Sequence, residues 1–263
     1  MTENLDYLAH LRVESARFAE ALRGAPPEGR VPTCPDWTSE DLLWHLAEVQ
    51  WFWAAIVRDK VSDPSTLEHP ARPTDRAGLV EFFDGATTAL QKTLAETPPE
   101  ESRWTWSEEQ TAGFTRRRQA HEALIHRVDA ELTADVARAV MDPDLCGDGV
   151  DEVLRVMFAG VPEWGHVEPE PGATLQINAS DAGQAWLVTL GRLTGTDPEG
   201  TPHDEPDMVV SDATSEPGVS TVSGKAADLD CWLWGRPTVG ALERRGDEQI
   251  LARFQAIIDT GIH

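Results

Sequence analysis

A chain of 263 residues with 40% hydrophobic and 26% charged side chains has the balance of a folded protein, long enough for one large core or two ordinary ones without disulfide or metal staples. Its 46 acidic against 22 basic residues leave a net charge of −24, a field that repels phosphate backbones and anionic lipid and so argues against nucleic-acid or membrane partners. Three cysteines without a CxxC pair suggest neither a disulfide framework nor a cysteine-rich zinc site.

The N-terminus is polar and acidic, and no run of 18 apolar residues occurs, so a reducing, cytoplasmic location is expected. Leu5, Leu8, Leu11, Ala16, Phe18 and Leu22 form a helical stripe that stops before Gly24 and the Pro26-Pro27 pair. A loop with Pro32, Cys34 and Pro35 leads to Thr38, which is placed to cap a second helix over about 39–58, with Glu40 and Asp41 in its first turn. A third helix carries Leu79, Phe82, Phe83, Leu90 and Leu94 and ends at Pro98-Pro99. The fourth is expected over about 115–141, closed by Asp142-Pro143. Four such helices pack most simply as a bundle over 1–146. Beyond it, a helix over 150–160, strands over 173–179, 185–193, 208–211 and 219–222, and helices over 225–234 and 247–258 predict a small α+β domain over 147–263. Residues 162–172 read as broken chain and 195–207 as turn-rich.

The fourth helix carries the chemistry. Glu122 and His126 lie one turn apart on one face, where two side chains converge on one ion. Asp129, a turn further on, is a candidate for a fourth ligand or for an acceptor behind a ligating imidazole. His121 and His126 are five residues apart, so a zincin motif, which needs histidines at i and i+4, does not fit. In the second helix His45 falls within a stripe of Leu42, Val49, Phe52 and Ile56. An inward His45 facing Glu122 and His126 makes a two-histidine, one-carboxylate set that binds zinc or a similar divalent ion and keeps a coordination position open. Arg116, Arg117 and Arg118 read as a solvated patch, Trp44, Trp51 and Trp53 as packing, and Cys34 as structural.

The run Val31-Pro32-Thr33-Cys34-Pro35-Asp36-Trp37-Thr38-Ser39-Glu40-Asp41-Leu42-Leu43-Trp44-His45-Leu46, together with Glu122 and His126-Arg127-Val128-Asp129-Ala130, resembles the mycothiol-dependent maleylpyruvate isomerase family. Gly224-Lys225-Ala226-Ala227-Asp228-Leu229 and Leu233-Trp234-Gly235-Arg236 are similar to the end of that family's C-terminal domain. The resemblance implies a DinB-like four-helix bundle carrying zinc on His45, Glu122 and His126, then a sterol-carrier-like α+β domain. It implies mycothiol as cofactor, and Arg236 as the residue that binds an anionic substrate. The activity so implied is isomerisation or S-transfer on a small electrophile, through a thiol activated as a metal-bound thiolate. A non-catalytic protein that binds metal and a small ligand is the alternative. A helix C-cap cation is the structural reading of Arg236.

Overall fold

The computed structural model describes residues 5–213 and 218–261. Its contacts divide the chain into two compact units, one ending at Val140 and the other beginning at Met141. The first is a four-helix bundle and the second an α+β unit.

The bundle comprises α1 (Tyr7–Gly24), α2 (Ser39–Asp59), α3 (Arg76–Glu96) and α4 (Ala112–Thr133), with α1 packed on α4, α2 on α3, and α2 crossing to α4. Each helix begins on a side-chain cap: Asp6, Thr38, Asp75 and Thr111 accept from backbone N–H groups of the first turns. Thr38 and Asp41 form a reciprocal capping box, so the expected start of α2 is where the chain starts it. Phe18, Leu22, Leu42, Leu46, Leu79 and Phe83 are among the residues of the core. The buried side of α2 runs through Leu42, Leu43, Leu46, Ala47, Gln50, Trp53 and Val57, while His45, Val49 and Phe52 sit at its margin. His45 is therefore at the edge of the apolar stripe and not within it.

Two expectations for this unit need correction. The segment read as a loop before α2 is a small hairpin, β1 (Arg30–Val31) with β2 (Cys34–Thr38). The fourth helix ends at Thr133, eight residues before Met141, with Asp135 in the left-handed region at φ 51°. The cause is a buried network at its end. Arg127 binds Glu14 of α1 at 2.7 Å, Glu131 at 2.8 Å and the carbonyl of Ala139 at 3.1 Å, while Glu131 accepts from the Ala139 N–H. Pulling residue 139 back against α4 requires the helix to stop first. Asp142-Pro143 does the opposite of what was expected, opening α5 (Pro143–Glu152) as its cap and first residue.

In the second unit, α5 runs on into a π-helical turn, Val153–Phe158. A five-stranded sheet follows in the order β5-β4-β3-β6-β7, with β3 and β6 parallel and the other pairs antiparallel. The strands are β3 (Gly165–Ala179), β4 (Gln184–Thr196), β5 (Pro202–Asp212), β6 (Ser220–Gly224) and β7 (Glu243–Arg245). Helix α6 (Ala226–Leu233) follows β6, and α7 (Glu248–Ile258) lies on β3, β4 and β6. Residues 165–172 and 202–207 are strand and not broken chain. Their prolines are accommodated, Pro169 at a register shift within β3 and Pro202 and Pro206 on the edge strand β5, where a missing N–H is tolerated. No helix among the described residues is long and apolar enough to cross a membrane.

Candidate metal centre

Helix α2 contributes His45, and α4 contributes Glu122 and His126. Each offers a ligand atom, and these atoms lie within 4.8 Å of one another. Glu122 Oε1 stands 3.4 Å from His45 Nε2 and 3.1 Å from His126 Nε2. Zinc bonds of about 2.0–2.1 Å in a tetrahedral arrangement hold ligand atoms about 3.3 Å apart, which the two carboxylate–imidazole separations match. His45 remains one-third exposed while His126 is one-tenth exposed, so the cluster faces outward on the α2 side.

Each of the two α4 donors is held from behind. Arg118 donates to Glu122 Oε2 at 3.1 Å, which leaves Oε1 to face the imidazoles. Asp129, fully buried, lies with Oδ2 2.9 Å from His126 Nδ1 and accepts from the Thr33 hydroxyl on Oδ1 at 2.6 Å. Both oxygens of Asp129 are engaged in this way behind His126, and the group whose ligand atoms gather is His45, Glu122 and His126. Arg118, Glu122, His126 and Asp129 thus form a single ladder along α4, at spacings of four, four and three.

The electrostatics favour a cation. Burial disfavours the charged form of Glu122, but His126, His45 and Arg118 outweigh it and hold the carboxyl well below its usual range. Burial likewise opposes a charge on His126, yet Glu122 and Asp129 outweigh it and push the imidazole up to about 9. Glu122 therefore places negative charge where the histidine nitrogens converge, and Asp129 adds its own behind the His126 ring.

Other expected features fall elsewhere. Trp44 packs on Phe82, Trp51 on His69 and Trp53 on Trp104, so each of these three indoles has an aromatic partner other than His45 and His126. The indole at the centre is Trp37 of β2, 4.8 Å from the His45 ring and 6.4 Å from that of His126. The arginine run is not a solvated patch. Arg118 is buried, and Arg116 donates to the carbonyls of Leu94 and Thr97. Cys34 is half-buried and packs against the bundle core. Of the residues the sequence reading missed, Arg118 was detectable from its spacing, four residues before Glu122; Thr33 and Trp37 carried no such signal because their partners are remote in sequence.

Arg236 belongs to the second unit. It follows Gly235, whose φ of 70° ends α6, and its N–H closes that end on the Cys231 carbonyl at 2.7 Å. Its guanidinium donates to the Trp234 carbonyl at 2.6 Å and lies 5.9 Å from the centre of the Trp234 ring. Asp228 steadies the loop beyond it, accepting from the N–H groups of Val239 and Gly240 at 2.8 Å each.

The model of the mycothiol maleylpyruvate isomerase N-terminal domain matches residues 8–131, and that of the MDMPI C-terminal domain matches residues 144–253. The crystal structure of the mycothiol-dependent maleylpyruvate isomerase is similar to this chain with a TM-score of 0.57 at 15% identity, covering 92% of this chain and 93% of that one. A mutant of that isomerase gives the same values. At this identity the likeness speaks to the fold. No curated protein matches the sequence.

Proposed function

Because the chain belongs to the mycothiol maleylpyruvate isomerase family, we propose that it is an enzyme that uses mycothiol, with a divalent metal held by His45, Glu122 and His126, to isomerise a maleylpyruvate-like cis-unsaturated acid. The observation that carries this reading is the convergence of two imidazole nitrogens and one carboxylate oxygen within 4.8 Å of one another. Zinc suits that donor set, and three protein ligands are the number that leaves a coordination position for a reactant. When bound there, such an ion would supply Lewis acidity, lowering the pKa of a thiol that reached it so that a thiolate would be available at neutral pH for addition to a conjugated cis double bond and departure after rotation.

The chain's own residues do the rest. Asp129, itself held by Thr33, fixes the His126 ring so that Nε2 faces inward. Arg118 keeps Glu122 to one inward oxygen. Arg236 is the proposed clamp for a substrate carboxylate, since a net charge of −24 opposes an anionic acceptor and a guanidinium grips a carboxylate with two parallel hydrogen bonds.

The test is to measure metal content and, by NMR, the cis-to-trans conversion of maleylpyruvate with and without mycothiol. The expected result is about one divalent ion per chain and turnover that needs the thiol, with both lost in His45→Ala and His126→Ala while the bundle stays folded. Full metal in both variants would sink the ligand assignment. Stable thiol adducts with a panel of electrophiles would make the protein an S-transferase instead. Metal without turnover of any acceptor would leave the binding-protein reading.

A further inference from the structure

The two histidines of the centre are held differently. His126 has a buried carboxylate on its second nitrogen. His45 faces Glu122 through Nε2, and among the described residues no hydrogen-bond acceptor engages its Nδ1. What His45 has, besides the His126 ring edge-on at 4.7 Å between centroids, is an indole. The Trp37 indole is tilted 46° to its ring with centroids 4.8 Å apart, and the same indole is inclined 29° to the His126 ring, whose centroid is 6.4 Å away.

The indole is itself well anchored. It precedes the Thr38 cap of α2 by one residue, in a strand paired with β1 through Arg30 and Thr38, and it packs against the bundle core. Arg30 donates to the Asp36 carbonyl next to it. Thr33, in the turn of the same hairpin, is the residue that holds Asp129. One short hairpin therefore reaches both imidazoles, one through a threonine and a carboxylate, the other through an indole.

We infer that Trp37 is a positioning residue for His45, restricting the imidazole to the orientation that presents Nε2 to a metal, the task that Asp129 performs for His126. A ring held by only one hydrogen bond still turns about its Cβ–Cγ axis, and a rigid indole whose centroid lies 4.8 Å away, tilted 46° to it, restricts that freedom before the ion arrives. Such preorganisation appears in affinity because less order has to be imposed on binding. This inference rests on the trio being a metal centre.

The experiment is zinc titration by competition with a chelator, together with the rate at which excess chelator strips zinc from the loaded protein, for the wild type, Trp37→Phe, Trp37→Leu and His45→Ala. Trp37→Leu, which keeps bulk but not the flat face, is expected to bind zinc about ten- to hundredfold more weakly and to release it faster, as loss of an outer partner of a ligand does. Trp37→Phe, which keeps a flat ring, should stay within a few-fold of wild type. The stripping rate reports only on folded, loaded molecules, so partial unfolding of the leucine variant does not imitate the effect. Wild-type affinity and release rate in Trp37→Leu would overturn the inference, as would equal losses in the phenylalanine and leucine variants. A wild-type protein that takes up no zinc, with His45→Ala indistinguishable from it, would instead overturn the metal centre itself.

Discussion

His126 is the residue on which the proton and the metal compete. Its imidazole is pushed up to about 9 from the ordinary 6.5, against burial, by Glu122 and Asp129. In the metal-free protein this raised pKa contributes stability that is fully present below about pH 6.5 and is lost as pH rises through about 9. Glu122 acts in the other direction, its lowered pKa contributing stability above about 4.5 that is lost on acidification. Metal-free melts should therefore fall between pH 6.5 and 9, and the fall should shrink in His126→Gln. The ion requires the neutral ring, so apparent metal affinity should rise about tenfold per pH unit up to about pH 9 and then level off. Titrations at buffered free zinc check this, and an affinity independent of pH would show that no proton has to leave His126 when the ion binds. Arg236→Lys should leave metal content unchanged but lower kcat/KM for carboxylate-bearing acceptors by about ten- to hundredfold, the equivalent of about 1.5–3 kcal/mol for a charge-assisted hydrogen bond, and spare neutral acceptors. Equal losses for both would identify Arg236 as a helix cap. The one-turn spacing of Glu122 and His126 was legible because it is local, whereas His45 was assigned to an apolar stripe at whose edge it sits. Trp37 and Thr33 were not legible, because no periodicity links position 33 to position 129.

At the scale of elements, α4 carries two independent sets of partners. Its ladder of Arg118, Glu122, His126 and Asp129 serves the candidate metal centre, and Arg127 and Glu131 join α1 and the chain at Ala139. One alanine inserted between Ala123 and Leu124 turns everything beyond it by about 100°. The insertion should abolish metal binding at every pH. It should also destabilise the bundle by about 3–5 kcal/mol, because Arg127 is displaced from its buried partner Glu14, which keeps only the half-exposed Arg17. The same insertion after Glu199, in the exposed turn between β4 and β5, should alter neither metal content nor the thermal midpoint by more than a degree or two. Elemental analysis and thermal melts of the two insertions decide it. Helices were easier to read than strands for a related reason. The apolar spacing of α1, α2 and α3 and their Asp, Thr and Pro punctuation are local signals, whereas the prolines in β3 and β5 mimic breakers until the sheet order shows which positions need no donor. The end of α4 was misread because Arg127 and Glu131, two buried side chains, terminate it instead of a glycine or proline.

For the molecule as a whole, a net charge of −24 acts with opposite sign on the two reactants the proposal requires. Rising salt screens the field over a Debye length of about 10 Å at 0.1 M, so the association rate of zinc should fall while kcat/KM for an anionic acceptor should rise, with neutral acceptors indifferent. Stopped-flow metal uptake and steady-state kinetics across a salt series test this, and parallel trends would show that the field at the centre does not follow the net charge. The composition that disfavoured nucleic acid at the outset thus makes a kinetic statement as well. The sheet of the second unit adds a different one. It is open at both edges, the usual starting point for strand-by-strand polymerisation. On one side β5 presents Pro202 and Pro206, which have no N–H to offer, among exposed Asp204 and Glu205; on the other, β7 is only three residues long and exposed throughout. Neither edge gives an incoming strand an uninterrupted row of donors and acceptors along its whole length, so the sheet carries its own protection against growth into fibrils.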